Sequence, residues 1–116
     1  MAEKAFVSNE RGNTISVVDT TTWEVVHEFF AGNRPRGITA SPDGSKIYVC
    51  ASDDSLVRVF DANTYEELPS LPSGPDPELF VLEQSGKRLY IANEDDNLVT
   101  VTDTDTRTVI AEVPVG

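Results

Sequence analysis

Short runs of Thr, Val, Ile, Phe and Tyr, separated by polar turn residues, occupy almost the whole chain. This composition is typical of β-strands. No segment shows a convincing helical period of apolar residues. The pattern predicts eleven strands, at residues 5–8, 14–19, 24–30, 36–41, 47–50, 56–61, 67–71, 78–83, 89–92, 98–103 and 108–113.

The runs recur at a spacing of 42 residues without insertions. Turn residues lie between the runs. Pro42-Asp43-Gly44, for example, supplies a fixed φ and then a residue that tolerates positive φ, as a tight turn requires. Three sets of identical residues stay in phase, namely Asp19, Asp61 and Asp103, then Thr22, Thr64 and Thr106, and then Gly32, Gly74 and Gly116.

A repeat of about 40–50 residues with four antiparallel strands is a β-propeller blade. Residues 47–49 are apolar on both faces of a strand, so both faces of the sheet need cover, and sheets stacked around an axis provide it. We predict an all-β fold, a β-propeller segment of about 2.8 four-stranded antiparallel blades. Residues 1–116 form a single incomplete domain, with blade 1 at 5–32 (three strands), blade 2 at 36–74 and blade 3 at 78–116.

One stretch of each blade carries a family resemblance. Phe6-Val7-Ser8-Asn9, Tyr48-Val49-Cys50-Ala51 and Tyr90-Ile91-Ala92-Asn93 each precede x-V-x-V/T-x-D and then a threonine. Over essentially its whole length the chain resembles the YVTN-type β-propeller repeat family. Segments 34–39, 73–80 and 93–97 resemble the periplasmic β-propeller proteins associated with PQQ-dependent alcohol catabolism.

That resemblance implies a complete, exported ring with no established chemistry of its own. It therefore implies a periplasmic or secreted parent protein. The sequence departs from the family in two respects, because residues 1–5 show no cationic-then-apolar leader and the blades are too few.

The charge balance excludes several classes of partner. Nine Lys and Arg residues oppose twenty Asp and Glu residues, which gives a formal net charge of −11 at pH 7. Such a field repels a nucleic-acid backbone and an anionic membrane surface, so we predict neither as a partner. No run reaches the roughly 18 apolar residues of a membrane helix. A single Cys and a single His exclude a disulfide framework and a multi-histidine zinc site.

Fewer than three blades leave two sheet faces uncovered, because closed propellers have about 4–8 blades. We expect the first uncovered face to carry Phe6, Val7, Ile15 and Val17. Each exposed apolar side chain forfeits about 1.5–3 kcal/mol, against a total stability of about 5–15 kcal/mol. The chain is a piece of a larger ring, or a repeat array that is stable alone, or it self-associates. We favour self-association, a homo-oligomer whose partner is itself.

Charged residues gather in the loops that meet on one face of a propeller, usually the binding face. They are Arg34, Arg36, Asp53, Asp54, Asp76, Glu78, Asp95 and Asp96. The arginines can bind a carboxylate or phosphate ligand bidentately, or pair with Asp53, Asp54 or the acids of a neighbouring blade. The excess of acids favours pairing. A Ca²⁺ ion needs about six to eight oxygens, and no Asp-x-Asp-x-Asp-Gly loop supplies them, so we predict no metal and no cofactor.

The remaining candidates have simple structural interpretations. The three repeated aspartates cap turns, because a catalytic base would not recur in every blade. Cys50 replaces Ser8 and Ala92 at a small-residue packing position. His27 lies on an outer strand, and no Ser or Cys has a base partner at suitable spacing, so nucleophilic catalysis has no support. Trp23, in the turn to an outer strand, is a candidate interface anchor.

Three functional interpretations remain open. The first is a non-catalytic propeller module, not an enzyme, that acts as a scaffold or interaction unit. The second is a fragment of a periplasmic propeller enzyme or of a quinoprotein-linked accessory protein, with its site on other blades. The third is an engineered or ancestral-type fragment, which the end of the chain at Gly116, a repeat-equivalent glycine, favours.

Overall fold

A computed structural model describes residues 3–116 and places eleven strands in three antiparallel sheets. Sheet 1 contains β1 (Lys4–Asn9), β2 (Thr14–Asp19) and β3 (Glu24–Phe30). Sheet 2 contains β4 (Pro35–Ala40), β5 (Lys46–Ala51), β6 (Leu56–Asp61) and β7 (Glu67–Pro72). Sheet 3 contains β8 (Pro77–Leu82), β9 (Arg88–Asn93), β10 (Leu98–Asp103) and β11 (Thr108–Pro114).

Each sheet is a meander in which consecutive strands are neighbours. The observed strand bounds differ from the predicted ones by at most one residue, because backbone pairing extends into the polar end residues, as in Asn9 with Thr14 and Arg88 with Asp103. One 3₁₀ turn, Ser52–Asp54, follows β5 and was not predicted. Among residues 3–116 no helix is long and apolar enough to cross a membrane.

The repeated aspartates cap the turns that lead to β3, β7 and β11. The Oδ1 atom of each aspartate accepts hydrogen bonds from the backbone N–H groups two and three residues later, at 2.7–3.2 Å. These bonds lower the pKa of Asp61 and Asp103 below the ordinary value, with the Thr64 and Thr106 N–H groups as the largest respective causes. The predicted capping role is confirmed.

Two apolar layers hold the three sheets together. We call the side of a sheet that faces the next sheet along the chain its front, and the opposite side its back. The first layer joins the front of sheet 1 to the back of sheet 2 and contains Phe6, Ile15, Phe29, Ile47, Val49 and Phe60. The second joins the front of sheet 2 to the back of sheet 3 and contains Tyr48, Cys50, Val57, Val59, Leu71, Leu89 and Ile91.

The prediction for the uncovered face of sheet 1 is wrong for three of its four residues. Ile15 and Val17 are fully buried and Phe6 is half-buried, whereas Val7 is 46% exposed. Successive side chains of a strand point to opposite faces, so Phe6, Ile15 and Val17 share the front, which sheet 2 covers. The uncovered back of sheet 1 instead carries Ala5, Val7, Ser16 and Val18.

We predict that Ile91→Ala lowers the free energy of unfolding by about 2–5 kcal/mol, because Ile91 is fully buried between sheets 2 and 3. Ile110→Ala on β11 is the matched control, since Ile110 is 49% exposed. Urea unfolding at one fixed protein concentration measures both. Equal losses in the two variants would contradict the assignment of the second apolar layer.

Candidate functional site

The first candidate site is a charged cluster at the loops between sheets. Its centre is Arg34, in the loop that connects β3 to β4. Arg34 adopts a left-handed backbone conformation with φ of 59°, and its N–H donates to Oδ1 of Asn13 at 2.9 Å. This bond to the β1–β2 turn fixes the direction in which the Arg34 side chain leaves the backbone.

The guanidinium of Arg34 lies among four carboxylates. Its Nε donates to Glu10 at 3.2 Å and one terminal nitrogen donates to Asp53 at 3.3 Å, while Asp76 and Glu94 lie within 3.9 Å. The hydrogen bonds to Glu10 and then Asp53 raise the pKa of Arg34, which therefore stays charged. Because more than a third of the side chain is exposed, these ion pairs orient Arg34 and contribute little stability.

Arg36, on β4, connects sheet 2 to sheet 3. One terminal nitrogen donates to Glu78 on β8 at 2.9 Å, and the other donates to Glu94 beyond β9. The side chain of Arg36 is only 17% exposed. The hydrogen bond to Glu94 is the largest cause that raises the pKa of Arg36. Arg36 is therefore a link between neighbouring sheets.

Asp54 pairs with a residue that the sequence analysis did not name. Its carboxylate accepts hydrogen bonds from the backbone N–H of Asn33 at 2.9 Å and from Nε of Arg58 at 3.1 Å. Burial acts to raise the pKa of Asp54, but these hydrogen bonds outweigh it and the pKa is lowered. The predicted pairing of the arginines is present through Asp53 and the acids of the neighbouring sheet, whereas Asp54 binds Arg58 on the adjacent β6, which also binds Glu67 at 2.7 Å.

The other predicted acids lie around the same loops. Asp76 precedes β8, and its pKa is raised by burial first and then by its hydrogen bond to Asp95. Asp95 and Asp96 lie in the β9–β10 turn, where the N–H of Asp96 donates to the carbonyl of Asn93 at 3.4 Å. Of these three acids only Asp76 lies close to an arginine, at 3.9 Å from Arg34, whereas Asp95 contacts Asp76.

Sequence reasoning missed three members of the cluster, Glu10, Glu94 and Arg58. Glu10 and Glu94 occupy equivalent positions two periods apart, which was the available signal. Arg58 was visible only as a charged residue inside a strand run. Within residues 3–116 no group of three or more His, Cys, Asp and Glu side chains is arranged to hold a metal ion.

Cys50 and His27 lie outside the charged cluster. Cys50 is fully buried, and burial raises the pKa of its thiol to about 12, so the thiol stays protonated. His27 is exposed, with its ring stacked on Tyr65 at a centroid distance of 4.5 Å. Neither residue forms a nucleophile–base pair in the described part of the chain.

The second candidate site is the front of sheet 3, which no residue of the described chain covers. Leu79 and Val81 on β8 are 58% and 68% exposed. They border a shallow hollow of about 420 Å³ with Phe80, Tyr90, Ala92 and Val99. An exposed apolar surface on an uncovered sheet face is a candidate interaction site. Trp23, 77% exposed, lies away from this face, in the β2–β3 turn of sheet 1.

No protein-family model and no curated protein match the chain. Among solved structures it is similar to hydrazine synthase of Kuenenia stuttgartiensis, with a TM-score of 0.89 and 26% identity over 97% of this chain and 33% of that chain. It is also similar to the dihydro-heme d1 dehydrogenase NirN in complex with DHE, with a TM-score of 0.80 and 16% identity over 100% of this chain and 26% of that chain. The chain thus spans about a third and about a quarter of these two structures.

Both similar structures are β-propeller-like. Together with three antiparallel sheets of three or four strands, they confirm the predicted fold class. The chain is an all-β, partial β-propeller.

We predict that Arg36→Gln lowers the free energy of unfolding by about 1–3 kcal/mol, because it leaves Glu78 and Glu94 without their shared cation. Arg11→Gln in the exposed β1–β2 turn is the control, since it removes the same charge. Urea unfolding at fixed protein concentration compares the two. A loss that is no larger for Arg36→Gln than for Arg11→Gln would contradict a linking role.

A second prediction concerns pH. The lowered pKa of Asp61 means that its carboxylate contributes stability above pH 3.8, the ordinary value, and that this contribution is lost as the pH falls through the folded-state pKa. We expect Asp61→Asn to have a lower Tm than the parent chain at pH 7, and the difference to shrink below pH 3.8. Thermal unfolding monitored by circular dichroism tests this, and a difference independent of pH would contradict it.

Proposed function

We propose that this chain is a non-catalytic β-propeller repeat module that acts as a scaffold or interaction unit by binding a second copy of itself. The observation that carries the proposal is the uncovered front of sheet 3. The fronts of sheets 1 and 2 are each covered by the back of the following sheet. Since the sheets repeat, a further sheet of the same kind is the natural cover for the third front.

The free energy of burying the exposed apolar side chains of sheet 3 supports association. Leu79, Val81 and Tyr90 lie side by side on the front of sheet 3. Fully burying a large apolar side chain contributes about 1.5–3 kcal/mol. Several such side chains together approach the roughly 8 kcal/mol of a micromolar complex.

A non-enzymatic role is supported by the state of the reactive groups. Arg34 and Arg36 are paired with carboxylates of the same chain, which favours an ordering role over ligand binding. The Cys50 thiol is buried, and its raised pKa keeps it protonated. The net charge of −11 supports a partner that is neither nucleic acid nor membrane.

As part of the same proposal, the chain is a YVTN-type repeat protein, close to the periplasmic propellers associated with PQQ-dependent alcohol catabolism. The support is the 42-residue repeat and its three stretches, which begin at Phe6, Tyr48 and Tyr90. A periplasmic or secreted location follows from this assignment. The repeat without insertions also suits an engineered or ancestral-type fragment, which would assemble through the same face.

A second candidate function is a segment of a larger enzyme's propeller. The similarity to a third of a hydrazine synthase chain, at 26% identity and a TM-score of 0.89, favours it. In that case flanking sequence supplies the sheet that covers Leu79 and Val81, and the site lies on other blades. The 116-residue chain would then be monomeric.

We predict that light scattering gives at least a dimer at micromolar concentration and that Val81→Glu makes the chain monomeric, because it places a charge on the apolar front of sheet 3. Val109→Glu is the matched control, since Val109 pairs with Thr102 and lies on the opposite face of the same sheet. It should associate as the parent chain does. A stable monomeric parent chain at micromolar concentration contradicts the proposal and favours the second candidate.

A further inference from the structure

Three repeat-equivalent residues share a costly backbone conformation. Trp23, Tyr65 and Arg107 have φ values of 61°, 64° and 57° in the turns that lead to the outer strands. Bulky residues rarely adopt this left-handed region. The N–H groups of Trp23 and Tyr65 donate to the carbonyls of Asp19 and Asp61 at 2.8 and 2.9 Å. The turn therefore fixes where each of these side chains starts.

Tyr65 shows which surface the side chain of this left-handed turn residue contacts. It belongs to sheet 2, but its ring lies against the front of sheet 1. Its centroid is 4.5 Å from that of His27, 5.4 Å from that of Phe29 and 6.4 Å from that of Phe6. Lys4 donates to the Tyr65 hydroxyl at 2.9 Å and lies over the ring at 5.0 Å. Tyr65 thus extends the contact between two neighbouring sheets.

Arg107 occupies the equivalent position one period later. It belongs to sheet 3 and borders a hollow with Tyr48, Leu68 and Pro69, which belong to sheet 2. In both junctions the residue of the left-handed turn lies beside the preceding sheet. Trp23 has the same turn geometry and is 77% exposed, and no sheet precedes sheet 1 within residues 3–116.

We propose that copies of the chain join head to tail, with Trp23 of one copy seated on the front of sheet 3 of the next. This rests on the proposed self-association and specifies its geometry. The seat is formed by Tyr90, Ala111 and Val113, which are the repeat equivalents of Phe6, His27 and Phe29. Tyr90 is half-buried and the other two are exposed.

The back of sheet 1 suits this contact despite its small side chains. Ser16 and Val18 occupy the positions that Thr100 and Thr102 occupy in sheet 3. Both threonines are fully buried against sheet 2, and the Thr102 hydroxyl donates to the carbonyl of Pro72 at 2.7 Å. A back face with hydroxyl groups therefore packs completely in this repeat.

Sheet 3 also carries a cation at the position that Lys4 occupies in sheet 1. Arg88 corresponds to Lys4, and its side chain is 52% exposed. In the head-to-tail contact it takes the position over the Trp23 ring that Lys4 takes over Tyr65. Tryptophan is the strongest aromatic partner for a cation, and it is enriched at the centres of protein interfaces.

A head-to-tail contact joins two different surfaces and generates a ring or an open chain of copies. A front-to-front contact of two sheet 3 faces would cover Leu79 and Val81 on the inner strand β8, which has no counterpart in the three-stranded sheet 1, but it would stop at a dimer and leave Trp23 in water. The two arrangements therefore differ in what Trp23 and the back of sheet 1 contribute.

Mixing two variants with complementary defects distinguishes the head-to-tail contact from the front-to-front contact. Trp23→Asn removes the ring and introduces a residue type that tolerates the positive φ of this turn. Trp23→Tyr instead introduces the residue that stands at the equivalent position 65. We expect Trp23→Asn to weaken association by about tenfold or more and Trp23→Tyr to retain most of it. An equal mixture of Trp23→Asn and Val81→Glu should give a dimer of twice the 12.7 kDa chain mass, because each variant keeps the surface that the other lacks.

Fluorescence gives a direct readout, since Trp23 is the single tryptophan. Its emission should shift to the red as the parent chain is diluted and dissociates. If the parent chain associates, but Trp23→Asn associates equally well and the mixture forms no heterodimer, the head-to-tail contact is overturned and the front-face proposal survives. A parent chain that is monomeric at every concentration tested overturns both.

Discussion

The structure depends on one repeated contact, in which the front of each sheet is covered by the back of the next. Two such contacts exist in the described chain, and they bury nearly all of its apolar core. A single four-stranded sheet of this composition has two apolar sides and cannot hide either one alone. Stability therefore comes from stacking, and each added sheet covers one face and presents another.

The polar residues of the described chain support this stacking. Arg36 connects β4 of sheet 2 to the loops of sheet 3, and Tyr65 extends from sheet 2 over sheet 1. The repeated aspartates hold the turns from which Tyr65 and its equivalents project. The net charge of −11 means that these links lie within a predominantly acidic chain.

Strand positions could be predicted from the sequence because the 42-residue repeat presents every strand two or three times. Which face of a strand is covered could not be predicted in the same way. The alternation of Phe6 and Val7 shows that they point apart, but only the position of sheet 2 shows that Phe6 is the covered one. Pairing of Arg34 with Asp53 could be predicted from the excess of acids, but the partner of Asp54 could not, because several arginines were plausible and the geometry of β6 selected Arg58.

The most direct test of the stacking account is methyl NMR of the chain labelled at Leu and Val, recorded over a range of concentrations. The account predicts that the Leu79 and Val81 methyl signals shift or broaden as concentration rises, while those of the buried Val57 and Val59 stay constant. Signals of Leu79 and Val81 that are sharp and independent of concentration, in a chain that remains folded, would contradict it.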